Sequence, residues 1–293
     1  MEIALEGREQ VEIVINANAT APEQHAAAEL ARFLSQVTGA AFAAVNESSA
    51  KVPRILVGPD AAILVDPAFT VDSMGAEGIV IRTVGDDLVL AGGRPRGTLY
   101  AVYTFLEDYV GCRWWTPTAQ TIPARPSLAI AELDVCYVPA LEYRESFWYD
   151  AFDGDWAVRN KSNGNSERID PAQGGRHIYE GFAHTFYPLI PPDRYFADHP
   201  EWFSLVAGKR THRVIAKPHG AEIPMPAQLC LTSESMRQEL VKNLKARLRA
   251  NPQATIASIS PNDEHPGFDG RCECTRCAAS EAKEGSPAGP LLH

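Results

Sequence analysis

Residues 228–259 read QLCLTSESMRQELVKNLKARLRANPQATIASI, and this stretch has the clearest pattern in the chain. Two short apolar segments, 228–231 and 255–259, have the length and composition of buried strands. Between them, apolar residues from Met236 to Leu248 recur at helical spacing, and Asn251 with Pro252 ends the helix. A strand, a helix and a second strand predict a right-handed crossover with parallel strands.

The residues that precede this unit predict a different layer of structure. A strand at 11–15 is followed by a helix that begins at a capping box, Thr20 to Glu23, and ends at Gly39. A buried strand at 54–58, a hairpin around residues 85–87 and a helix over 99–110 follow. The sequence therefore predicts an α/β fold: an N-terminal α/β (α+β) sandwich domain in residues 1–136, then a partial (β/α)8 TIM barrel in residues 137–293.

Composition excludes several classes of partner. The 293 residues include 27 Lys and Arg against 37 Asp and Glu, a formal charge of −10, which disfavours binding to nucleic acid. No apolar run approaches the roughly 20 residues of a membrane helix, so no membrane partner is expected. The N-terminus lacks the basic and apolar regions of a signal peptide, which predicts a cytoplasmic protein. A chain that lacked its natural start would instead be secreted.

Three cysteines lie close together near the end of the chain. Cys272, Cys274 and Cys277 can face one point if their loop curls, and zinc takes four tetrahedral ligands. Cys230 is the expected fourth ligand, because it closes the preceding strand, and His265 is the second choice. The alternative is a set of reduced thiols without metal.

Acidic residues follow the last predicted strand. Asn262, Asp263 and Glu264 would emerge at the carboxyl end of a parallel strand, where α/β barrels place their active sites. A positioned carboxylic acid there can protonate the leaving oxygen of a glycosidic bond. The same residues are also typical of an ordinary turn.

Three further residues are candidates for binding a sugar. Arg144 lies in a predicted first barrel strand, 141–148, where it would clamp sugar hydroxyls or a carboxylate, or pair with Glu142 or Glu145. His184 follows a predicted second strand at 178–182; a lone histidine is more often structural than catalytic. Trp148 offers a stacking face, although aromatic residues more often belong to a core.

Six stretches of the sequence, among them those that contain Arg144, His184, Cys230, Asn262 and the cysteine trio, resemble the family called domain of unknown function 4838. Together with the N-terminal likeness given next, the resemblance covers nearly the whole chain. Two more, residues 96–103 and 111–115, resemble the N-terminal domain of α-glucuronidases and β-hexosaminidases. The stretches that resemble the 4838 family are residues 142–144, 184–187, 199–205, 229–232, 259–263 and 272–287.

This resemblance implies an accessory domain packed on a glycosidase barrel, and a carbohydrate substrate. It implies that Arg144 holds the sugar, as an arginine on the first barrel strand does in β-hexosaminidases. Those enzymes carry Asp-Glu after the fourth strand, whereas Asn262 and Asp263 stand here. The departure argues against substrate-assisted hexosaminidase chemistry and leaves the acid at Asp263 or Glu264. Only about four barrel strands precede His293, so we expect a second catalytic carboxylate beyond it.

The resemblance and the residues together leave three functional hypotheses. The first is a glycoside hydrolase acting on glucuronide or hexosaminide linkages by carboxylate general acid catalysis. The second is a non-catalytic carbohydrate-binding fragment with a structural zinc site. The third is a thiol-based redox or metal-handling protein, which the cysteine trio alone supports.

Overall fold

The structure is a computed structural model that describes residues 1–49, 52–216, 222–263 and 270–292. It divides into two compact units, Met1–His177 and Ile178–His293. The predicted domain boundary after residue 136 remains a proposal. Within the described ranges, no helix is both long enough and apolar enough to cross a membrane.

The first unit is rich in strands. Its helices are α1 (Ala21–Thr38), α2 (Pro59–Ala62), α3 (Gly97–Phe105) and α4 (Gly154–Arg159). Its strands are β1 (Glu2–Leu5), β2 (Arg8–Glu9), β3 (Glu12–Ile15), β4 (Ala44–Val45), β5 (Arg54–Val57), β6 (Ile79–Val84), β7 (Asp87–Gly92), β8 (Arg113–Trp114), β9 (Gln120–Thr121), β10 (Leu128–Ala129) and β11 (Asp134–Tyr137).

A six-stranded mixed sheet forms the centre of this unit, in the order β11-β6-β7-β5-β3-β4. The four strands from β7 to β4 run parallel, and β6 and β11 are antiparallel to their neighbours. Strands β10, β1 and β2 form a separate small sheet, and β8 pairs with β9. The predicted N-terminal α/β layer is thus confirmed as a mixed α/β arrangement.

Alternation along the central strands explains why both faces of the sheet are covered. Ile13, Ile55 and Leu90 join the large core that includes α1 and α3. Their neighbours Val14 and Leu56 point to the opposite face and pack with the alanines of α2. Successive side chains of a strand point to opposite faces, so strands that are apolar at every position are buried on both sides.

The predicted ends of the two helices are confirmed. The predicted hairpin is confirmed as well, because β6 and β7 pair antiparallel with Val84 opposite Asp87. Glu23 accepts a hydrogen bond from the Thr20 backbone N–H at 2.8 Å, which is one half of the capping box. Gly39 ends α1 with φ of 78°, a left-handed conformation that glycine adopts at low cost. Gly111 ends the helical turn that continues α3, at φ of 94°.

The second unit combines short strands with two longer helices, Glu234–Ala250 and Thr275–Glu284. Its strands are β12 (Tyr179–Glu180), β13 (Leu205–Val206), β14 (Lys209–Arg210), β15 (Arg213–Ala216), β16 (Ile223–Pro226) and β17 (Ile256–Ala257). Its helices are α5 (Phe186–Leu189), α6 (Pro192–Tyr195), α7 (Glu234–Ala250), α8 (Thr275–Glu284) and α9 (Gly289–Leu292). Strands β12 and β17 are parallel, whereas β13 with β14 and β15 with β16 are antiparallel.

The predicted half barrel is not confirmed. The predicted helix is present as α7, but residues 228–231 do not form a parallel strand beside β17. Leu229 makes an isolated antiparallel bridge to Phe203, and the Cys230 N–H donates to the Trp202 carbonyl at 2.8 Å. The partner of Ile256 is Tyr179 instead. The apolar pattern identified buried segments, but it did not say which segments pair.

The predicted first barrel strand at 141–148 is wrong as a strand. Its backbone is held by a loop rather than by a neighbouring strand. The Arg144 N–H donates to the Asn163 side-chain oxygen at 2.8 Å, and the Arg144 carbonyl accepts from the Asn163 N–H at 3.0 Å. A side chain and a loop therefore satisfy groups that a sheet would otherwise pair.

Candidate functional site

Two loops of the second unit leave the carboxyl ends of the parallel pair β12 and β17, and hydrogen bonds join them. The Thr185 and Phe186 backbone N–H groups both donate to the Ser260 carbonyl at 3.1 Å. The Thr185 hydroxyl donates to the Ser258 carbonyl at 3.0 Å and accepts from the Ser260 N–H at 2.8 Å. A buried threonine thus fixes the register between the two loops.

His184 lies in the first of these loops. Its ring Nδ1 is 3.1 Å from the Pro261 carbonyl oxygen, a distance at which a protonated Nδ1 donates. Its backbone has φ of 54°, which is uncommon for a residue other than glycine. The side chain is exposed, so the neighbouring loop orients the ring while its edge stays open to solvent.

Asn262 lies in the second loop and is only 5% exposed. Its side-chain oxygen accepts from the Tyr187 N–H at 3.2 Å, and its side-chain nitrogen donates to the Ala227 carbonyl at 2.6 Å. Its backbone N–H and carbonyl are paired with the Gln228 side chain at 2.9 and 3.0 Å. Asn262 therefore connects the loop to two other segments; its predicted role in binding substrate remains a proposal.

Asp263 follows this anchored asparagine and is exposed. Asn262 is held at its backbone and its side chain. These bonds also hold the backbone at the start of Asp263 in place. Glu264 and His265, the alternative acid and the alternative metal ligand, lie outside the described residues.

Arg144 belongs to the first unit, where it joins a buried ionic cluster. Its Nη2 donates to Glu77 at 2.6 Å, and Glu77 also accepts from Arg96 and from the Asn163 side chain at 2.6 Å each. The carboxylate partner is thus Glu77, not the Glu142 or Glu145 proposed from the sequence. Arg144 also donates to the carbonyls of Lys161 and Leu141, and its side chain is 23% exposed.

Trp148 is 65% exposed and stands beside Tyr149, which is 80% exposed. Phe152 contacts the Tyr149 ring with 6.4 Å between centroids. Trp148 therefore is no part of the apolar core of the first unit, which leaves its proposed stacking role open.

The four predicted cysteine ligands come together in the second unit. The Sγ atom of Cys230 lies 3.8 Å from the Sγ atoms of both Cys274 and Cys277. All four Sγ atoms, with that of Cys272, lie within 4.8 Å of one another. Tetrahedral zinc with Zn–S bonds of about 2.3 Å places its sulfurs about 3.8 Å apart. The donor set therefore fits zinc in both number and spacing.

Hydrogen-bond donors surround this cysteine cluster. The Cys272 sulfur accepts from the Leu205 N–H at 3.3 Å and from Arg210 at 3.5 Å. Cys274 occupies the position just before α8, and the Thr232 hydroxyl lies 3.2 Å from the Cys277 sulfur. Hydrogen bonds from the Cys272 and Cys277 thiols and from Arg210 lower the pKa of Cys230, whereas hydrogen bonding to Cys230 raises the pKa of Cys272 and of Cys277. Such donors stabilise thiolates, the form that binds metal.

Sequence reasoning missed several charged residues that the structure brings together. Glu77 organises the cluster around Arg144, and Asp193, His212 and Arg213 line one cleft of the second unit. Glu77 and His212 lie in loops, Asp193 in the short helix α6 and Arg213 at the start of β15, without periodic spacing. The adjacent basic residues His212 and Arg213 are a local sequence feature that could have indicated this cleft.

Comparison with family models places this geometry in context. The model described as domain of unknown function (DUF4838) matches residues 114–293, more than half of the chain. The chain belongs to the DUF4838 family. The DUF4838 match includes all four cysteines, both loops of the candidate site and Arg144. A second model, glycosyl hydrolase family 67 N-terminus, matches residues 5–105, so this DUF4838 protein also carries a glycoside-hydrolase-related domain.

Other comparisons are distant. A solved structure of a family GH115 4-O-methyl-alpha-glucuronidase with specificity for decorated arabinogalactans is 11% identical, with a TM-score of 0.48. The alignment covers 83% of this DUF4838 chain and 40% of that enzyme's chain, so this chain spans well under half of its length. No curated protein matches the chain.

Proposed function

We propose that this protein is a glycoside hydrolase that acts on glucuronide or hexosaminide linkages, with Asp263 as general acid. The observation that carries the proposal is the pair of loops that leave parallel strands β12 and β17 at their carboxyl ends. His184 lies 3.1 Å from the Pro261 carbonyl, two residues before Asp263. The glycosyl hydrolase family 67 N-terminus match supports the carbohydrate class.

In this proposal the fixed loops provide the positioning that acid catalysis requires. Asn262 is bonded through its backbone and side chain, which holds in place the backbone that leads into Asp263. His184 and Asn262 are proposed to bind the sugar, and Glu264 to take the acid role if Asp263 is directed elsewhere. The sugar-binding roles predicted for Arg144 and Trp148 concern residues of the first unit and are proposed separately from this site.

The experiment is to assay the natural full-length protein on aryl glucuronides and aryl N-acetylhexosaminides. Asp263→Asn removes the proton donor and keeps the side-chain shape, so kcat should fall by at least about a hundredfold. Asp198→Asn is the matched control, because Asp198 is also an exposed aspartate of the second unit. Equal turnover in the two variants would remove Asp263 from the mechanism.

We also propose that Cys230, Cys272, Cys274 and Cys277 bind a structural zinc ion. Four thiolates fill a tetrahedral site completely and leave no position for water or substrate, as structural rather than catalytic zinc requires. The metal would hold together the Leu205 strand, the segment around Cys230 and helix α8. The alternative function, a non-catalytic carbohydrate-binding fragment with this zinc site, follows if the wild-type protein binds carbohydrate but hydrolyses none of these substrates.

A further inference from the structure

A cleft of about 360 Å³ opens in the second unit beside the anchored loop. That volume lies within the range of about 300–1,000 Å³ typical of small-molecule sites. Tyr187 connects the cleft to the candidate site, because its backbone N–H donates to the Asn262 side chain at 3.2 Å. The cleft is lined by Tyr187, Pro192, Asp193, His212, Arg213, Pro224, Met225 and Pro226.

Two opposite charges face this cleft without being paired. Arg213 and Asp193 both line it, yet they form no ion pair with each other. Among the described residues, neither side chain has a hydrogen-bonding or ionic partner. The Arg213 guanidinium can donate up to five hydrogen bonds, and the Asp193 carboxylate can only accept. The cleft therefore offers a cationic donor and an anionic acceptor to one ligand.

His212 forms part of the wall and is held from two sides. Its carbonyl accepts from the Tyr187 hydroxyl at 2.7 Å and from the Ala227 N–H at 3.0 Å. Its ring lies edge-on to Phe196, with 4.5 Å between centroids. The ring Nδ1 is buried and has no hydrogen-bonding partner among the described residues. A buried polar atom of this kind is costly unless something else satisfies it.

We infer that this cleft binds a sugar acid, with Arg213 pairing with its carboxylate and Asp193 accepting hydrogen bonds from its hydroxyl groups. Arginine forms bidentate pairs with planar carboxylates, and a carboxylate suits a ligand that presents hydroxyl donors. The proline and methionine side chains supply apolar walls for the C–H faces of a sugar ring. The sugar part of this inference rests on the proposed function, whereas the anionic part rests on Arg213.

The test measures binding, so it does not depend on turnover. D-glucuronate and D-glucose are titrated separately into the full chain and followed by ligand-observed NMR; in water each sugar samples both anomers. The two differ only in the carboxylate, so glucuronate should bind about tenfold to a hundredfold more tightly. Arg213→Ala should abolish that preference, and Asp193→Asn should weaken both sugars.

Arg249→Ala is the matched control, since Arg249 is an exposed arginine of the same unit at the end of α7 and should leave the preference intact. Arg213→Gln serves as a second variant if Arg213→Ala does not fold. Equal binding of both sugars, no binding of either, or an unchanged preference in the Arg213 variants would overturn the inference. Hydrolysis without binding in this cleft would support the proposed function and overturn the inference about the cleft. Binding without hydrolysis would support the inference about the cleft and argue against the proposed function.

Discussion

The Sγ atoms of Cys230 and Cys277 lie 3.8 Å apart although 47 positions separate the two residues in the chain. Cys230 follows an isolated bridge to Phe203, and Cys277 lies in the first turn of α8. Two loops and a helix N-terminus thus meet at one cluster of sulfurs. The strands of this unit are only two to four residues long. The cysteine cluster therefore connects segments that its two-stranded sheets do not join.

The first prediction is that the purified protein contains about one zinc ion per chain. Cys272→Ser should lower the zinc content and the melting temperature together, because the ion binds the folded arrangement and not the unfolded chain. Metal analysis of protein purified under reducing conditions measures the first effect, and thermal unfolding measures the second. Cobalt(II) substitution should give the absorption bands of a tetrahedral thiolate site.

Cys136→Ser is the control for this prediction, because Cys136 is an exposed free cysteine of the first unit. It should keep the wild-type zinc content and melting temperature. Protein that contains no zinc, or a Cys272→Ser variant that binds as much as wild type, would show that the four cysteines are ordinary thiols.

The second prediction concerns Arg210, which donates to the Cys272 sulfur at 3.5 Å and to the Phe203 carbonyl at 2.7 Å. Four thiolates around Zn²⁺ leave a net negative charge, which the guanidinium offsets. Arg210→Ala should weaken zinc binding by about tenfold to a hundredfold, the usual cost of removing an outer-shell partner. Zinc transfer to a chromophoric chelator measures this. Arg210→Lys should recover part of the affinity, whereas the exposed neighbour Lys209→Ala should match wild type.

The convergence of the four cysteines was predictable from the sequence because of their chemistry. Cysteine sulfurs that bind one ion must converge, so the spacing of Cys272, Cys274 and Cys277 already restricts how the loop folds. Cys230 was predicted as the fourth ligand because it closes the strand expected before α7. The pairing assumed for its segment was wrong, since Leu229 bridges to Phe203 and not to β17. The place of Cys230 in the cluster was thus predicted correctly, together with an incorrect strand order.

The central sheet of the first unit was predictable for a different reason. Its strands are apolar at successive positions, and Gly39, Gly85 and Gly111 mark where elements end. By contrast, Arg144 pairs with Glu77, which lies 67 positions away in an unpatterned segment. Neither residue belongs to a helix or strand, so no periodicity links them. Long-range ionic contacts between loops depend on the finished fold and leave no local signal.

The third prediction follows from that ionic cluster. Glu77 is 7% exposed and binds Arg96, Arg144 and Asn163, so Glu77→Ala would leave two guanidinium groups without their carboxylate. The free energy of unfolding should fall by about 3–5 kcal/mol, as when one partner of a buried pair is removed. Urea denaturation measures this. Glu132→Ala, an exposed glutamate of the same unit, should change stability by less than about 0.5 kcal/mol. A similarly small effect at Glu77 would contradict the cluster's role.

The last prediction concerns pH and Glu167, a glutamate of the first unit that is 1% exposed. Burial raises its pKa above the ordinary 4.5, although the Ser162 hydroxyl and the Gly164 N–H donate hydrogen bonds to its carboxylate. The folded state therefore binds its proton more tightly than the unfolded state. Its contribution to stability is fully present below pH 4.5 and is lost as the pH rises through the folded pKa.

Glu167→Gln removes this titration, so the wild-type free energy of unfolding minus that of the variant should decrease as the pH is raised from about 4 toward 8. The slope is the measurement, because the amide also changes the hydrogen bonds to Ser162 and Gly164 by an amount that does not depend on pH. Urea denaturation of both proteins across this range gives the two curves. Parallel curves would mean that folding does not shift the proton affinity of Glu167, and that its carboxylate is solvated more fully than its burial indicates.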